Sequence, residues 1–143
     1  MENCLFCKIA AGEIPSNKLF EDDKLLAFYD IDPQAPVHFL VIPKQHIASA
    51  AALTEDDAAL LGHIYAVIAQ LCKKLGVDES GYRVVTNVGA DGGQSVKHLH
   101  FHVLAKRSLA WPPADAGRAQ NTCESIKRGK LAWQIPIHCT LRV

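Results

Sequence analysis

The chain carries no net charge: 15 lysines and arginines balance 15 aspartates and glutamates. That balance argues against a broad basic surface for nucleic acid or for an anionic membrane, so any anionic ligand would be held by local donors. A long apolar run is also missing. Charged residues interrupt every apolar stretch well short of the roughly 20 residues a membrane-spanning helix needs. The start, Met1-Glu2-Asn3-Cys4, has neither the basic nor the apolar segment of a secretory leader, and a soluble cytoplasmic protein is expected. The 5 cysteines are odd in number and scattered, which does not suggest a disulfide framework. The one glycine-rich stretch lacks the Gly-Lys-Ser/Thr ending of a Walker A phosphate loop.

What is present is an ordinary globular composition, 49% apolar and 21% charged over 143 residues, enough for one domain with a real core. The patterning predicts a mixed α+β domain. Residues 4–11 read as a short helix stopped by Gly12 and Pro15. Residues 19–21 and 25–29 read as a hairpin turning at Asp22-Asp23-Lys24, and residues 37–42 as an apolar strand ended by Pro43. Thr54, with Asp57 three residues later, opens the clearest helix, and Gly76 closes it. Leu60, Ile64, Val67, Leu71 and Leu75 recur on one helical face. Leu61, Tyr65, Ile68 and Cys72 widen that face beyond what one sheet needs. A helix between its own sheet and a second subunit explains the excess, and a well-buried helix in a small domain explains it equally. His63 falls on the solvent side of this helix as a surface residue, and Cys72 reads as helix packing.

The chemistry concentrates near residue 100. His98, His100 and His102 alternate with Leu99, Phe101 and Val103. On a strand, alternate side chains share a face, which would align three imidazoles roughly 6.6 Å apart while the apolar residues enter a core. Imidazole serves as nucleophile, acid, base or metal ligand near neutral pH. A merely solvated strand face normally uses Thr, Lys and Glu instead. Upstream, residues 82–87 (YRVVTN) read as a strand and residues 88–95 (VGADGGQS) as a tight loop that completes a hairpin with the histidine strand. Its glycines let backbone N–H groups approach an anion, and Asn87 and Ser95 add side-chain donors. Such a loop is usually only a turn; beside three histidines it reads as an oxyanion cradle facing a nucleophile.

Asn87, Gly92, Gln94 and Val96 followed by His-Leu-His-Phe-His-Val-Leu strongly resemble the signature of the histidine triad (HIT) superfamily. The runs Asp30-Ile31-Asp32-Pro33-Gln34-Ala35-Pro36-Val37-His38, Gly92-Gly93-Gln94-Ser95 and Trp111-Pro112-Pro113 resemble its Hint branch, and the likeness covers about residues 1–113. It implies an antiparallel sheet of about five strands with one long and one short helix, packed across a homodimer. It also implies a hydrolase of purine nucleoside 5′-monophosphate derivatives, with adenosine phosphoramidates or aminoacyl adenylates as substrates. By that resemblance His100 is the nucleophile, leaving a nucleotidyl-histidine that water hydrolyses. Asn87, Gly93, Gln94, Ser95 and His102 would contact the phosphate, and Ser95 is the candidate proton relay to the leaving amine. Asp30 would hold the ribose hydroxyls, Phe6, Phe28 and Ile31 would sandwich the base, and His38 would orient a triad member. On pattern alone Phe28 is a core residue, Asp30 a turn residue and His38 a satisfied buried histidine.

Cys4 and Cys7 have zinc-thiolate spacing, but no second Cys-x2-Cys follows, so other ligands must come from elsewhere. The resemblance implies a structural zinc completed by His46 and His98; two small buried thiols in a reducing compartment is the other reading. Residues 114–143 depart from the family pattern, with a linker-like 114–121 and an edge-strand alternation over 135–143, and they have no functional reading. Two further hypotheses compete with the phosphoramidase: a dinucleoside polyphosphate hydrolase of another HIT branch, and a non-catalytic AMP-binding interaction module.

Overall fold

A computed structural model describes residues 3–110, and their first compact unit ends at Ser108. The expectations for Trp111-Pro112-Pro113 and residues 114–143 lie outside the described residues. In chain order the elements are α1 (Leu5–Ala10), β1 (Lys18–Glu21), β2 (Leu25–Tyr29), β3 (Val37–Pro43), two short 3-10 turns (Ala50–Ala52 and Glu55–Asp57), α2 (Ala58–Lys74), β4 (Tyr82–Val85) and β5 (Phe101–Ala105). The five strands form one sheet in the order β1-β2-β3-β5-β4, each neighbour antiparallel. The α+β class, the strand number and the pairing of long with short helix are those expected.

Both faces of the sheet are covered, so β2 and β3 are nearly all buried and read as near-continuous apolar runs. Alternation sorts their side chains. Leu25, Ala27, Phe39, Val41, Phe101 and Val103 pack with Ile64, Val67, Ile68 and Leu71 of α2. On the other face, Leu26, Phe28, Leu40 and Ile42 pack with Phe6 and Ile9 of α1. His38 and His102 follow the parity of Leu40 and so point to the α1 face. That face carries the histidine cluster.

Helix α2 is prepared at both ends. The Thr54 N–H donates to the Asp57 carboxylate (2.9 Å), and the Asp57 N–H donates back to the Thr54 carbonyl (3.1 Å). Gly76 ends the helix in the left-handed region (φ +62°). Ile68 and Cys72 are taken up by the domain's own core, and burial, with Asp78 nearby, pushes the Cys72 thiol up to about 11. Tyr65 stays outside, 53% exposed, its ring edge-on to Phe101 at 5.9 Å.

Three expectations need correction. The histidine segment is not one strand: β5 begins only at Phe101, because the β3 ladder ends at the Val41–Phe101 pair and the Leu99 N–H turns to the Ile47 carbonyl (2.6 Å). β4 likewise stops at Val85, opposite His102, and not at Asn87. His63 is no idle surface residue either. Its Nε2 lies 2.6 Å from Asp22 Oδ2, tying α2 to the β1–β2 turn. The other Asp22 oxygen accepts from the N–H groups of Lys24 and Leu25.

Burial works upward on the Asp22 carboxyl, yet the hydrogen bonds from His63, Leu25 and Lys24 outweigh it and hold the pKa below its usual value. Its stabilisation is therefore complete above the unfolded carboxylate value, about 3.9, and is lost as pH falls through the lower folded value. Asp22→Ala should destabilise the domain by about 1–3 kcal/mol at neutral pH. Chemical denaturation across pH should also show a flatter acid limb in the variant than in the parent.

Candidate functional site

The loop between β4 and β5 is braced by its own backbone. A Cβ on Gly92 would stand 2.3 Å from the Val88 carbonyl oxygen, so only glycine lets the chain close there. Gln94 locks the loop further. Its Oε1 accepts from the Gly89 N–H (3.1 Å), and its Nε2 donates to the carbonyls of Ala48 (2.7 Å) and Val96 (3.0 Å). The Gln94 amide is thus engaged within the protein, and it fixes where Ser95 and Val96 emerge. Gly93, at φ +72°, donates its N–H to the Ala90 carbonyl (3.0 Å).

The triad rings have their protons assigned by what they touch. A carbonyl oxygen only accepts. His98 Nε2 lies 2.8 Å from the Pro43 carbonyl, so it carries the proton and leaves Nδ1 with a lone pair. His100 Nδ1 lies 2.6 Å from the His98 carbonyl, so here Nδ1 carries the proton and Nε2 the lone pair. His38 Nδ1 accepts the Gln34 N–H (3.1 Å). The proton of neutral His38 is then on Nε2, which donates to His102 Nδ1 at 2.9 Å. His102 in turn presents an Nε2–H. Asp30 Oδ2 stands 3.5 Å from His38 Nε2 and 3.9 Å from His102 Nδ1.

Electrostatics agree with this chain of neutral rings. Burial lowers the His38 pKa, against the pull of Asp30 and Asp32. Burial, reinforced by His100 and His38 and opposed by Asp30, takes His102 down to about 4. Both rings are neutral at pH 7.

Two clusters bring together donor types that bind metals, and the tautomers separate them. In the first, Cys4 Sγ, Cys7 Sγ, His46 Nδ1 and His98 Nδ1 all lie within 4.8 Å of one another. Cys4 and Cys7 Sγ are 3.4 and 3.5 Å from His98 Nδ1, and His46 Nδ1 is 3.3 Å from both Cys7 Sγ and His98 Nδ1. His98 donates its other nitrogen to a backbone carbonyl, the arrangement that aims an imidazole lone pair at an ion. A Cys2His2 donor set suits a closed tetrahedral site. Burial, with Cys4 beside it, pushes the Cys7 thiol up, and a divalent ion would reverse that by favouring the thiolate. The residues therefore fit a metal. The second cluster, Asp30, His38 and His102, fits one poorly, because His38 already uses both nitrogens in hydrogen bonds. It is a hydrogen-bond relay.

A cleft of about 250 Å³ opens on the α1 face beside the triad. Of the residues expected in the site, Phe6, Phe28, Asp30, Ile31, Ser95, His100 and His102 line it, with Ile31 fully exposed at its lip. Phe6 meets Phe28 edge-on at 5.9 Å and His100 at 5.1 Å, and His100 meets His102 at 5.1 Å. Asn87, Gly93 and Gln94 are not on this cleft wall, and His38 acts from behind it through His102. Leu5, Ile9, Leu40 and Val96 line the cleft without having been anticipated. Leu5 and Ile9 stand one helical turn apart on α1, a spacing that was readable from sequence.

Nitrogen-15 spectra of the histidine side chains should show His100 as the Nδ1–H tautomer and His102 as the Nε2–H tautomer. His102 should stay neutral as pH falls, taking up a proton only near 4. A His102 that titrates near 6.5 would contradict the relay.

The family described as scavenger mRNA decapping enzyme C-term binding matches residues 3–111. An uncharacterized HIT-like protein of Synechococcus elongatus is 52% identical over 112 residues, covering 78% of this chain and 97% of its own length. Among solved structures, a HIT family hydrolase from Legionella pneumophila is 52% identical with a TM-score of 0.77, covering 78% of this chain and 100% of that one. A histidine triad nucleotide-binding protein from Candida albicans is 37% identical with a TM-score of 0.69, covering 87% and 95%.

Proposed function

Because the chain belongs to the histidine triad superfamily, we propose that it is a nucleotide hydrolase of the Hint branch. It cleaves the P–N or P–O bond of purine nucleoside 5′-monophosphate derivatives, adenosine phosphoramidates first and aminoacyl adenylates as further candidates. The observation that carries this reading is the His100 Nδ1 bond to the His98 carbonyl, which leaves a bare Nε2 lone pair beside an apolar cleft. The Candida relative's description as nucleotide-binding supports the choice of ligand.

The mechanism follows from the tautomers. The base enters between Phe6, Phe28 and Ile31, and Asp30 accepts from the ribose hydroxyls. His100 Nε2 attacks the α-phosphorus; the new N–P bond forms as the substrate's P–N bond breaks, its electron pair leaving on the amine. Ser95 Oγ, on the cleft wall, relays a proton from solvent to the departing amine. Positive charge developing on the His100 ring is stabilised through Nδ1–H by the His98 carbonyl, and the His102 Nε2–H donates to the phosphoryl oxygens. Water then attacks phosphorus and gives up its proton to solvent along the same Ser95 relay, the N–P bond breaks, and its electrons return to His100. Asn87 and the Ser95 backbone N–H remain candidate phosphate donors, whereas the N–H groups of Gly93 and Gln94 are already given to the carbonyls of Ala90 and Gly89. His38 is a positioning residue that holds the His102 proton on Nε2.

We assign Cys4, Cys7, His46 and His98 to a structural zinc, which ties α1, and so Phe6, to the triad segment. This leaves His98 no free nitrogen for catalysis. A homodimer belongs to the same reading, supported by exposed Tyr65 on α2 and by Tyr82, 38% exposed, on the edge strand β4. No described helix is long and apolar enough to cross a membrane. A cytoplasmic location belongs to the same reading, in which Cys4 and Cys7 serve as zinc ligands and Cys72 stays a thiol, states that a reducing compartment preserves.

AMP release from an adenosine 5′-phosphoramidate, measured for the parent and for His100→Ala, is the test. A loss of at least about 10³-fold is expected, the scale on which removing a catalytic group acts. AMP binding without turnover in the parent would favour the interaction module, and faster cleavage of a diadenosine polyphosphate would favour the other hydrolase branch. Elemental analysis of protein purified without chelator should find one zinc per chain. Its removal should lower stability by about 4 kcal/mol relative to free zinc at a thousand times Kd.

A further inference from the structure

A second cavity, of about 580 Å³, shares Ile9, Phe28, Asp30 and Ile31 with the catalytic cleft and continues it past the aromatic slot. Its far wall carries Ser16 and Asn17 at the entrance to β1. Neither side chain has an assigned task. Ser16 Oγ is shut away from solvent with no hydrogen-bond partner among the described residues, an uncommon state for a buried hydroxyl. Asn17 is held in place by its backbone, whose carbonyl accepts the Tyr29 N–H at 3.0 Å. The residue is exposed and forms part of the cavity wall.

We propose that Ser16 and Asn17 form a base-reading edge that selects a 6-aminopurine over a 6-oxopurine. This rests on the nucleotide reading above and deepens it. A base between Phe6, Phe28 and Ile31, with its ribose on Asp30, points its far edge along the shared wall toward Asn17. A carboxamide offers one acceptor and one donor side by side. Adenine presents the complementary pair, an amino donor next to a ring-nitrogen acceptor, whereas a 6-oxopurine puts an oxygen acceptor where the amino group was. The Asn17 oxygen accepts from the 6-amino group and its NH2 donates to the adjacent ring nitrogen. One step of χ1 between staggered wells swings Ser16 Oγ out of its unpartnered position, where it accepts the second hydrogen of the 6-amino group. Apolar stacking surface on both sides favours a purine over a smaller pyrimidine.

Calorimetric binding of AMP and IMP, which differ at the 6-position and its neighbouring nitrogen, tests this on the full chain. The parent should bind AMP about tenfold more tightly than IMP, the low end expected for one bidentate contact at a wet rim. Asn17→Ala should bring the two affinities within about twofold of each other, chiefly by weakening AMP. Ser16→Ala should weaken AMP about threefold, the size of one modest hydrogen bond. Equal binding of AMP and IMP by the parent, or a preference unchanged in Asn17→Ala, overturns the proposal while leaving the nucleotide reading intact. If the parent binds neither nucleotide, the nucleotide reading fails and the base-reading edge falls with it. Retained circular dichroism and melting of each variant separate a lost contact from a lost fold.

Discussion

The hydrogen bond from His100 Nδ1 to the carbonyl of His98 is the constraint on which the site depends. It fixes which nitrogen of His100 is bare, and it ties that choice to the backbone two residues earlier. The same backbone is held by the bond from His98 Nε2 to Pro43 and by the Leu99 N–H on Ile47. Each imidazole therefore has a different job although all three share one chemistry. His98 turns its lone pair to the thiols, His100 turns its own to the cleft, and His102 presents a proton. A strand of equivalent histidines would not make that division; the break in the strand before Phe101 does.

The fold serves this arrangement through the two-sided burial of β2 and β3. Helix α2 covers one face with Ile64, Val67, Ile68 and Leu71. The short α1 covers only part of the other with Phe6 and Ile9, and the cleft opens where its cover ends. Because Cys4 caps α1 and Cys7 lies within it, the cysteine–histidine cluster and the cleft beside the triad are joined by a single helical turn around Phe6. A metal held there would set the position of a wall of that cleft as well as stiffen the N-terminal segment.

Much of this was legible in the sequence because period and punctuation agreed. The β1–β2 hairpin, the Thr54–Asp57 start and Gly76 end of α2, and the inward turn of Leu99, Phe101 and Val103 all follow from alternation and capping chemistry. The gathering of Cys4, Cys7, His46 and His98 was anticipated by family likeness and not by spacing, since 39 residues separate Cys7 from His46. What escaped were long-range bonds. The His63–Asp22 contact spans 41 positions, and nothing local distinguishes it from a solvated helix histidine. The end of the histidine strand depends on where the Ile47 carbonyl lies, which no period encodes. The bond from the Gln94 amide to the Ala48 carbonyl, 46 positions away, is likewise invisible to local pattern.

The central claim is that His100 Nε2 is the bare nucleophile and forms a bond to phosphorus. It is tested most directly by acid-free rapid quenching of the protein with an adenosine 5′-phosphoramidate, followed by intact-mass and peptide mass spectrometry. The account predicts one adenylyl group per chain, on the peptide containing His100, appearing and decaying within turnover and absent from His100→Ala. Turnover with no protein-bound adenylyl at any time, or an adduct on His98 or His102, would contradict it.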